Sequence, residues 1–204
     1  MKDVVGVLLA GGQSRRMGGR DKSLIALAGK PMIAHVIERL KPQVGSLVIN
    51  SNAPTAQFEA FALPVTADSV KGFAGPLAGV LAGMHWAREH AAGSRFIATA
   101  ATDTPFFPTD FVARLYAKAY DATIALAASS GRLHPVFGLW PIALADDLEA
   151  WLTSGDNRKV LAWVGRHKLA EVAFSPLHGV DPFFNANTPE ELAEAETIAR
   201  ELAA

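Results

Sequence analysis

The chain has 204 residues, half of them hydrophobic and 19% charged, with a formal net charge of -1 and no cysteine. That length fits one domain with a sizeable core, and the composition argues against disorder. The near-neutral charge argues against a large nucleic-acid footprint and leaves room for a local basic patch, and the lack of cysteine excludes disulfides, zinc–thiolate sites, iron–sulfur clusters and cysteine nucleophiles.

The opening MKDVVGVLLAGG makes a poor secretory signal: its n-region is short and acidic at Asp3, and its apolar run ends in glycines. No apolar run approaches the roughly 20 residues of a spanning helix. The expectation is a cytoplasmic protein with no membrane partner.

Val4 to Ala10 is a nearly continuous apolar run, as in a strand covered on both faces. Leu8 to Leu24, LLAGGQSRRMGGRDKSL, leaves that strand through four glycines, three arginines and a lysine. Glycine loses the most freedom on folding, so such a loop needs compensation, and a phosphate group supplies it. Pro31 opens a helix in which Met32, Ile33, Val36, Ile37 and Leu40 recur at helical spacing, and Pro42 closes it. Ser46–Asn50 and Pro64–Ser69 read as strands, and GFAGPLAGVLAGMHWAREH as a glycine-rich loop entering a helix. Arg95–Asp103 is a strand ending at a carboxylate, FVARLYAKAY a helix and TIALAAS a strand. LHPVFGLWP (Leu133–Pro141) and LAEVAF read as strands, DDLEAWL and NRKVLAWVG as helices. In the closing NTPEELAEAETIARELAA, Thr188, Pro189 and Glu191 form a capping box. The alternation of strand and helix predicts an α/β fold with a mostly parallel sheet.

In such sheets ligands bind beyond the carboxyl ends of the strands. The loop after Leu9, Asn50 with Asn52, Asp68 and Asp103 all fall at such ends. The loop matches neither G-x-G-x-x-G nor a Walker A motif, since Gly29-Lys30 is followed by proline. Its backbone N–H groups with Arg15, Arg16, Arg20 and Lys22 can still hold a polyphosphate. Asp103, facing that phosphate, is a natural magnesium ligand; read alone, it would be a turn cap before Thr-Pro. Asp68 reads by itself as a turn residue, and Asn50 either meets a base or sugar or ends its strand. The six histidines show no metal spacing, and a lone histidine such as His134 is more often structural. The tryptophans read as packing residues. No Gly-x-Ser-x-Gly elbow is present.

LAGGQSRRMGGRDK resembles the signature L-x-G-G-x-S-x-R-M-G-x-x-K of the nucleotidyltransferases, and most closely the molybdenum cofactor guanylyltransferases. The resemblance continues through GKPMIAHV (Gly29–Val36), VINSN (Val48–Asn52), ADS (Ala67–Ser69) and GPLAG (Gly75–Gly79). It extends through DTPF (Asp103–Phe106), HP (His134–Pro135) and FFNANTPEEL (Phe183–Leu192). It implies a Rossmann-like single domain over 1–204, a twisted sheet flanked by helices. The nucleotide part would span about 1–105 and the acceptor part about 106–204. The implied reaction transfers GMP from GTP to the terminal phosphate of molybdenum-molybdopterin, with pyrophosphate leaving.

The resemblance places Leu9, Ala10, Gly11 and Gly12 against the nucleotide, and Arg16 and Lys22 on its phosphates. Asn50, Asp68 and Gly79 of the GPLAG loop would meet the base and ribose side. Asp103 would bind magnesium, and His134, Asn185 and Asn187 would line the pterin side. Arg16, Lys22 and Asp103 are thus the candidate catalytic residues. A CTP-using cytidylyltransferase and a non-catalytic GTP-binding adaptor are the rival readings. Glycine at position 11 leaves room that favours guanine, and Lys22 with Asp103 favours catalysis. Cofactor-insertion proteins or molybdoenzyme apoproteins are the macromolecular partners the resemblance allows.

Overall fold

The structure, a computed structural model, describes residues 1–11, 22–70, 72, 75–120, 122–154, 159–176 and 179–202. The central strand is β1 (Val4–Leu9), in which Val4, Val5, Val7 and Leu8 are fully buried. Val4 and Leu8 face a cluster that includes Ile33, Val36 and Leu40 of α1 (Met32–Leu40). Val5 and Val7 face the opposite cluster, with Leu77, Val80 and Met84 of α2 (Pro76–His90). A strand covered on both faces explains why its sequence is apolar throughout rather than alternating.

Between β1 and α1 the chain makes a small antiparallel hairpin, β2 (Ala26–Leu27) and β3 (Lys30–Pro31). Ala28 and Gly29 turn it, both at positive φ. Pro31 therefore caps α1 instead of opening it, and the helix starts at Met32. α1 ends at Leu40, and Pro42 follows within a single 3-10 turn.

The remaining strands are β4 (Ser46–Asn50), β5 (Val65–Thr66), β6 (Phe96–Ala101), β7 (Ile124–Ser129), β8 (Arg132–Pro141) and β9 (Leu169–Ala173). Among the described residues, seven strands form one sheet in the order β5-β4-β1-β6-β8-β7-β9. β1 pairs in parallel with β4 and β6, and β4 with β5, while β8 runs antiparallel to both β6 and β7. β9 returns parallel to β7, so β8 is the one strand against the common direction, and the sheet is mostly parallel. β7 and β8 form a tight hairpin through Ser130 and Gly131, at φ 49 and φ 73, a turn whose twist matches its strands.

α3 (Phe111–Tyr116) joins α1 on one face; α4 (Ala145–Ser154) and α5 (Val160–Val164) join α2 on the other. β5 and α3 are among the elements shorter than the sequence suggests. β5 holds only Val65 and Thr66, because it is the sheet edge and the chain then turns so that Asp68 can bond Asn52. α3 stops at Tyr116, where Lys118 and Ala119 take i→i+3 bonds that tighten its last turn.

The last helix, α6 (Pro189–Glu201), has the expected capping box: Thr188 Oγ1 accepts from Glu191 N–H, and the Glu191 carboxylate accepts from Thr188 N–H. Among the described residues, its buried side chains belong to a cluster that holds none from β7–β9. Ala195 and Ile198 bury against Leu27, Met32 and Phe106, and Glu196 accepts the Ala28 N–H. The C-terminal segment thereby returns to the N-terminal half of the molecule. Among the described residues no helix is long and apolar enough to cross a membrane.

Candidate functional site

The parallel pairing brings the carboxyl ends of β1, β4 and β6 to one edge of the sheet. Past the strand ends, Ala10 N–H still donates to the Asn50 carbonyl at 2.9 Å, and Thr102 Oγ1 donates to the Leu9 carbonyl at 3.3 Å. Above this edge lies a cleft of about 470 Å³, a volume suited to a small-molecule ligand. Leu9, Ala10 and Gly11 form its floor, Asn50 and Asp68 one side, Lys22, Asp103 and Asn185 the other. A Cβ on Gly11 would meet no described atom within 4 Å.

On the β4 side, Asp68 is clasped by two amides. Asn50 Nδ2 donates to Asp68 Oδ1 at 3.0 Å and Asn52 Nδ2 to Oδ2 at 2.7 Å, while Asp68 N–H donates to Asn52 Oδ1 at 2.9 Å. Asn50 Nδ2 also reaches the Thr66 carbonyl at 3.3 Å. Asn50 is buried, and its amide lies against Gly79, where a side-chain carbon would collide with Oδ1. Gly79 thus serves the site by leaving space for Asn50 rather than by lining the cleft. Gly75 and Pro76, at the uncapped start of α2, complete this wall. Fixed amide donors and carboxylate acceptors of this kind suit the edges of a base or a sugar.

On the other side, Asp103 follows the end of β6. Burial pushes its carboxyl above the usual carboxylate range, while the Lys22 ammonium and hydrogen bonds from Asn185 and Thr104 pull the other way. Asp103 keeps a fixed place because its carbonyl accepts the Ala186 N–H at 3.0 Å. Lys22, in a 3-10 turn, donates to Asn187 Oδ1. Asn185 Oδ1 is buried and has no hydrogen-bond partner among the described residues. A cation and a carboxylate in a cleft, with an amide oxygen in reserve, suit a phosphate chain and a hard metal ion.

The structure thus brings Leu9, Ala10, Gly11, Lys22, Asn50, Asp68, Asp103 and Asn185 around one cleft, with Asn187 bonded to Lys22. Gly12 and Arg16 lie outside the described residues, as do Arg15 and Arg20. His134 is not among the cleft-lining residues: it is 8% exposed, bonded to Ser129 and packed at a tilt against the Phe183 ring. Sequence reasoning did not single out Ser23, Ser51, Thr102 and Val136, which also line the cleft. Ser51 and Thr102 carried a signal, since each adjoins a strand-end residue already chosen. Val136 carried none, because only the antiparallel course of β8 brings it beside β6.

The family described as the MobA-like NTP transferase domain matches residues 6–172. A molybdenum cofactor guanylyltransferase of Bradyrhizobium sp. (strain ORS 278) is 52% identical over 96% of this chain and 93% of its own length. One of Mesorhizobium japonicum is 46% identical over 98% of both chains. The molybdopterin-guanine dinucleotide biosynthesis protein A of Archaeoglobus fulgidus superposes with a TM-score of 0.73 at 27% identity, over 97% of this chain and 99% of that one. The 4-diphosphocytidyl-2C-methyl-D-erythritol synthase of Anaerococcus prevotii superposes with a TM-score of 0.73 over 98% of this chain and 96% of that one. At 9% identity it shares the fold alone. The cleft at the strand ends and this likeness over nearly the whole chain agree: the chain belongs to the family of MobA-like NTP transferases.

Proposed function

We propose that the protein transfers GMP from GTP to the terminal phosphate of molybdenum-molybdopterin, yielding the guanine dinucleotide cofactor and pyrophosphate. The observation that carries the reading is one cleft with amide and carboxylate groups at its β4 side and Lys22 with Asp103 opposite. It stands in a chain 52% identical to a molybdenum cofactor guanylyltransferase.

In this reading Asn50 and Asp68 hold the base and ribose, and Leu9 to Gly11 pass beneath the nucleotide. Lys22 steadies the negative charge that grows on the leaving pyrophosphate. Asn185 and Asn187 face the acceptor. Asp103, with the Asn185 oxygen beside it that has no partner among the described residues, fits magnesium, which takes one or two carboxylates plus phosphate oxygens and water. Bound there, the ion would neutralise charge on the triphosphate and hold it in line. The attacking group is already an anionic phosphate, so positioning and charge neutralisation suffice and no general base is needed. Arg16 is assigned to the phosphates on its charge and its place in the basic loop. The reaction is placed in the cytoplasm, with handover to an insertion protein or apoenzyme.

The test is label transfer: purified protein, magnesium and molybdopterin, with α-labelled GTP or α-labelled CTP. Label moving from GTP onto the pterin is the expected result. Transfer from CTP alone overturns the base assignment, and GTP binding without transfer overturns catalysis.

A further inference from the structure

Asn185 and Asn187 sit on a strap, residues 181–187, that belongs to no helix or strand. Part of what holds it lies outside the cleft. Phe183 is 4% exposed and its ring packs against Phe137 at 4.9 Å, Phe174 at 5.4 Å and Phe111 at 6.3 Å. Apolar burial sets the depth of the strap but is not directional. One directional anchor, at the far end of the strap, is the Glu191 carboxylate, which accepts the Asn187 N–H at 2.7 Å; the anchor at the near end is Asp181. The Ser129 hydroxyl, at the end of β7, donates to its carboxylate with both oxygens at 2.8 Å. The same carboxylate accepts the Phe183 N–H at 2.8 Å, and the Asp181 carbonyl accepts the Phe184 N–H at 3.0 Å.

Donor arithmetic orders this network. Ser129 Oγ also lies 2.7 Å from His134 Nε2. A hydroxyl has one hydrogen, and an ionised carboxylate only accepts. The Ser129 hydrogen therefore goes to Asp181, and His134 donates from Nε2 to the Ser129 oxygen. His134, Ser129 and Asp181 form a one-way chain in which each bond polarises the next. Ser129 is 3% exposed and His134 8%, so water competes weakly. Burial holds His134 below the usual histidine range, despite the opposing pull of Asp181. Beyond Phe184, Ala186 N–H bonds the Asp103 carbonyl. Asn185 is suspended between that bond and the Asp181 anchor.

We propose that Asp181 is a positioning residue of the transfer reaction: held by Ser129 and His134, it sets the strap so that Asn185 meets Asp103 and Asn187 meets Lys22. Its effect on rate rests on the transferase reading above; its effect on geometry does not. None of the three residues lines the cleft, so they act only through the strap.

The experiment compares Ser129→Ala, Asp181→Asn and Ser129→Thr with the unmodified protein. The first readout is the side-chain amide resonances of Asn50, Asn52, Asn185 and Asn187 in isotope-labelled protein. In the first two variants the signals of Asn185 and Asn187 are expected to shift or broaden, while those of Asn50 and Asn52 stay. The second is kinetics: kcat falls on the order of tenfold with the KM for GTP unchanged. Ser129→Thr, which keeps the hydroxyl, restores both. In an Asn185→Ala, Asn187→Ala background, Ser129→Ala causes little further loss, because both of its routes to the reaction are gone.

Unmoved Asn185 and Asn187 signals would overturn the proposal. So would equal movement of all four amides with KM rising in step, which is what general loosening of the fold produces. Should the signals move as expected while the unmodified protein transfers no GMP, the positioning stands and the transferase reading falls.

Discussion

Two glycines one turn apart on α2 separate packing from function. Both face the sheet and both are buried. A Cβ on Gly83 would come within 2.6 Å of Val7 Cγ2 and 3.3 Å of Ile97 Cδ1, all aliphatic. A Cβ on Gly79 would come within 2.7 Å of Leu9 Cδ2 and would run into the Asn50 amide oxygen. In a helix, Gly→Ala gains about 1 kcal/mol of propensity, and overpacking a tight core costs about 1–3 kcal/mol. Each substitution therefore nets about 0–2 kcal/mol of destabilisation, and at this size Tm falls by at most about 8 °C in either. The aliphatic neighbours of Gly83 can shift without losing a bond. Asn50 cannot, because its amide hydrogens are committed to Asp68 and Thr66. Losing one such bond at about 1–1.5 kcal/mol weakens GTP binding by roughly tenfold. Calorimetric titration with GTP, alongside thermal melts, measures both quantities. Gly79→Ala should lose affinity and Gly83→Ala should not. Equal affinity in Gly79→Ala and the parent, or equal losses in both variants, would refute the argument that Asn50 is held for the nucleotide.

Asp103→Ala should lower the transfer rate by about 10²–10³-fold while GTP affinity falls far less; unchanged turnover in a single-turnover assay would remove Asp103 from the chemistry. Thr188→Ala deletes the side-chain cap of α6 and should destabilise the protein by about 1 kcal/mol. The loss reads out as a lower urea midpoint with an unchanged slope. His134 has its folded pKa depressed below 6.5 by burial, so the unfolded chain binds its proton first. Its contribution is therefore complete above pH 6.5 and is lost as pH falls through the depressed folded value. His134→Gln, which can still donate to Ser129, should show a shallower fall of Tm across that acid window, and identical pH profiles would count against burial as the cause.

Much of the site was legible in the chain. The apolar run before the glycine loop reports a central strand, since only burial on both faces tolerates Val4, Val5, Val7 and Leu8 in succession. The polar residues that end such runs, Asn50 and Asp103, then had to share an edge, because parallel pairing aligns carboxyl ends. The α6 capping box was readable because its bonds are local. Other features were not. The β2–β3 hairpin is too short to show a period. β5 looked longer than it is, because an edge strand can leave the sheet as soon as its side chains find other partners, as Asp68 does. Val136 reaches the cleft only through the reversed direction of β8. Gly79 matched a motif, but its physical role depends on the approach of α2 to Asn50.

Local chemistry by itself determined the α/β class, the order of most elements and the capped C-terminal helix. Each depends on residues close in sequence, whose periodicity and hydrogen bonds act over a few positions. Only the tertiary structure decided that α6 crosses to the N-terminal hairpin, bringing Asn185 to Asp103 and Asn187 to Lys22. It also decided that Asp181 is tied to Ser129 and His134. The hydrogen bonds among them span from 52 positions, at Ser129–Asp181, to 168, at Ala28–Glu196, apart from the Ser129–His134 pair within its hairpin. Long-range pairing of this kind is selected by the burial of apolar faces, here Phe183 in its aromatic cluster and Ile198 against Met32. No short window of sequence contains both partners.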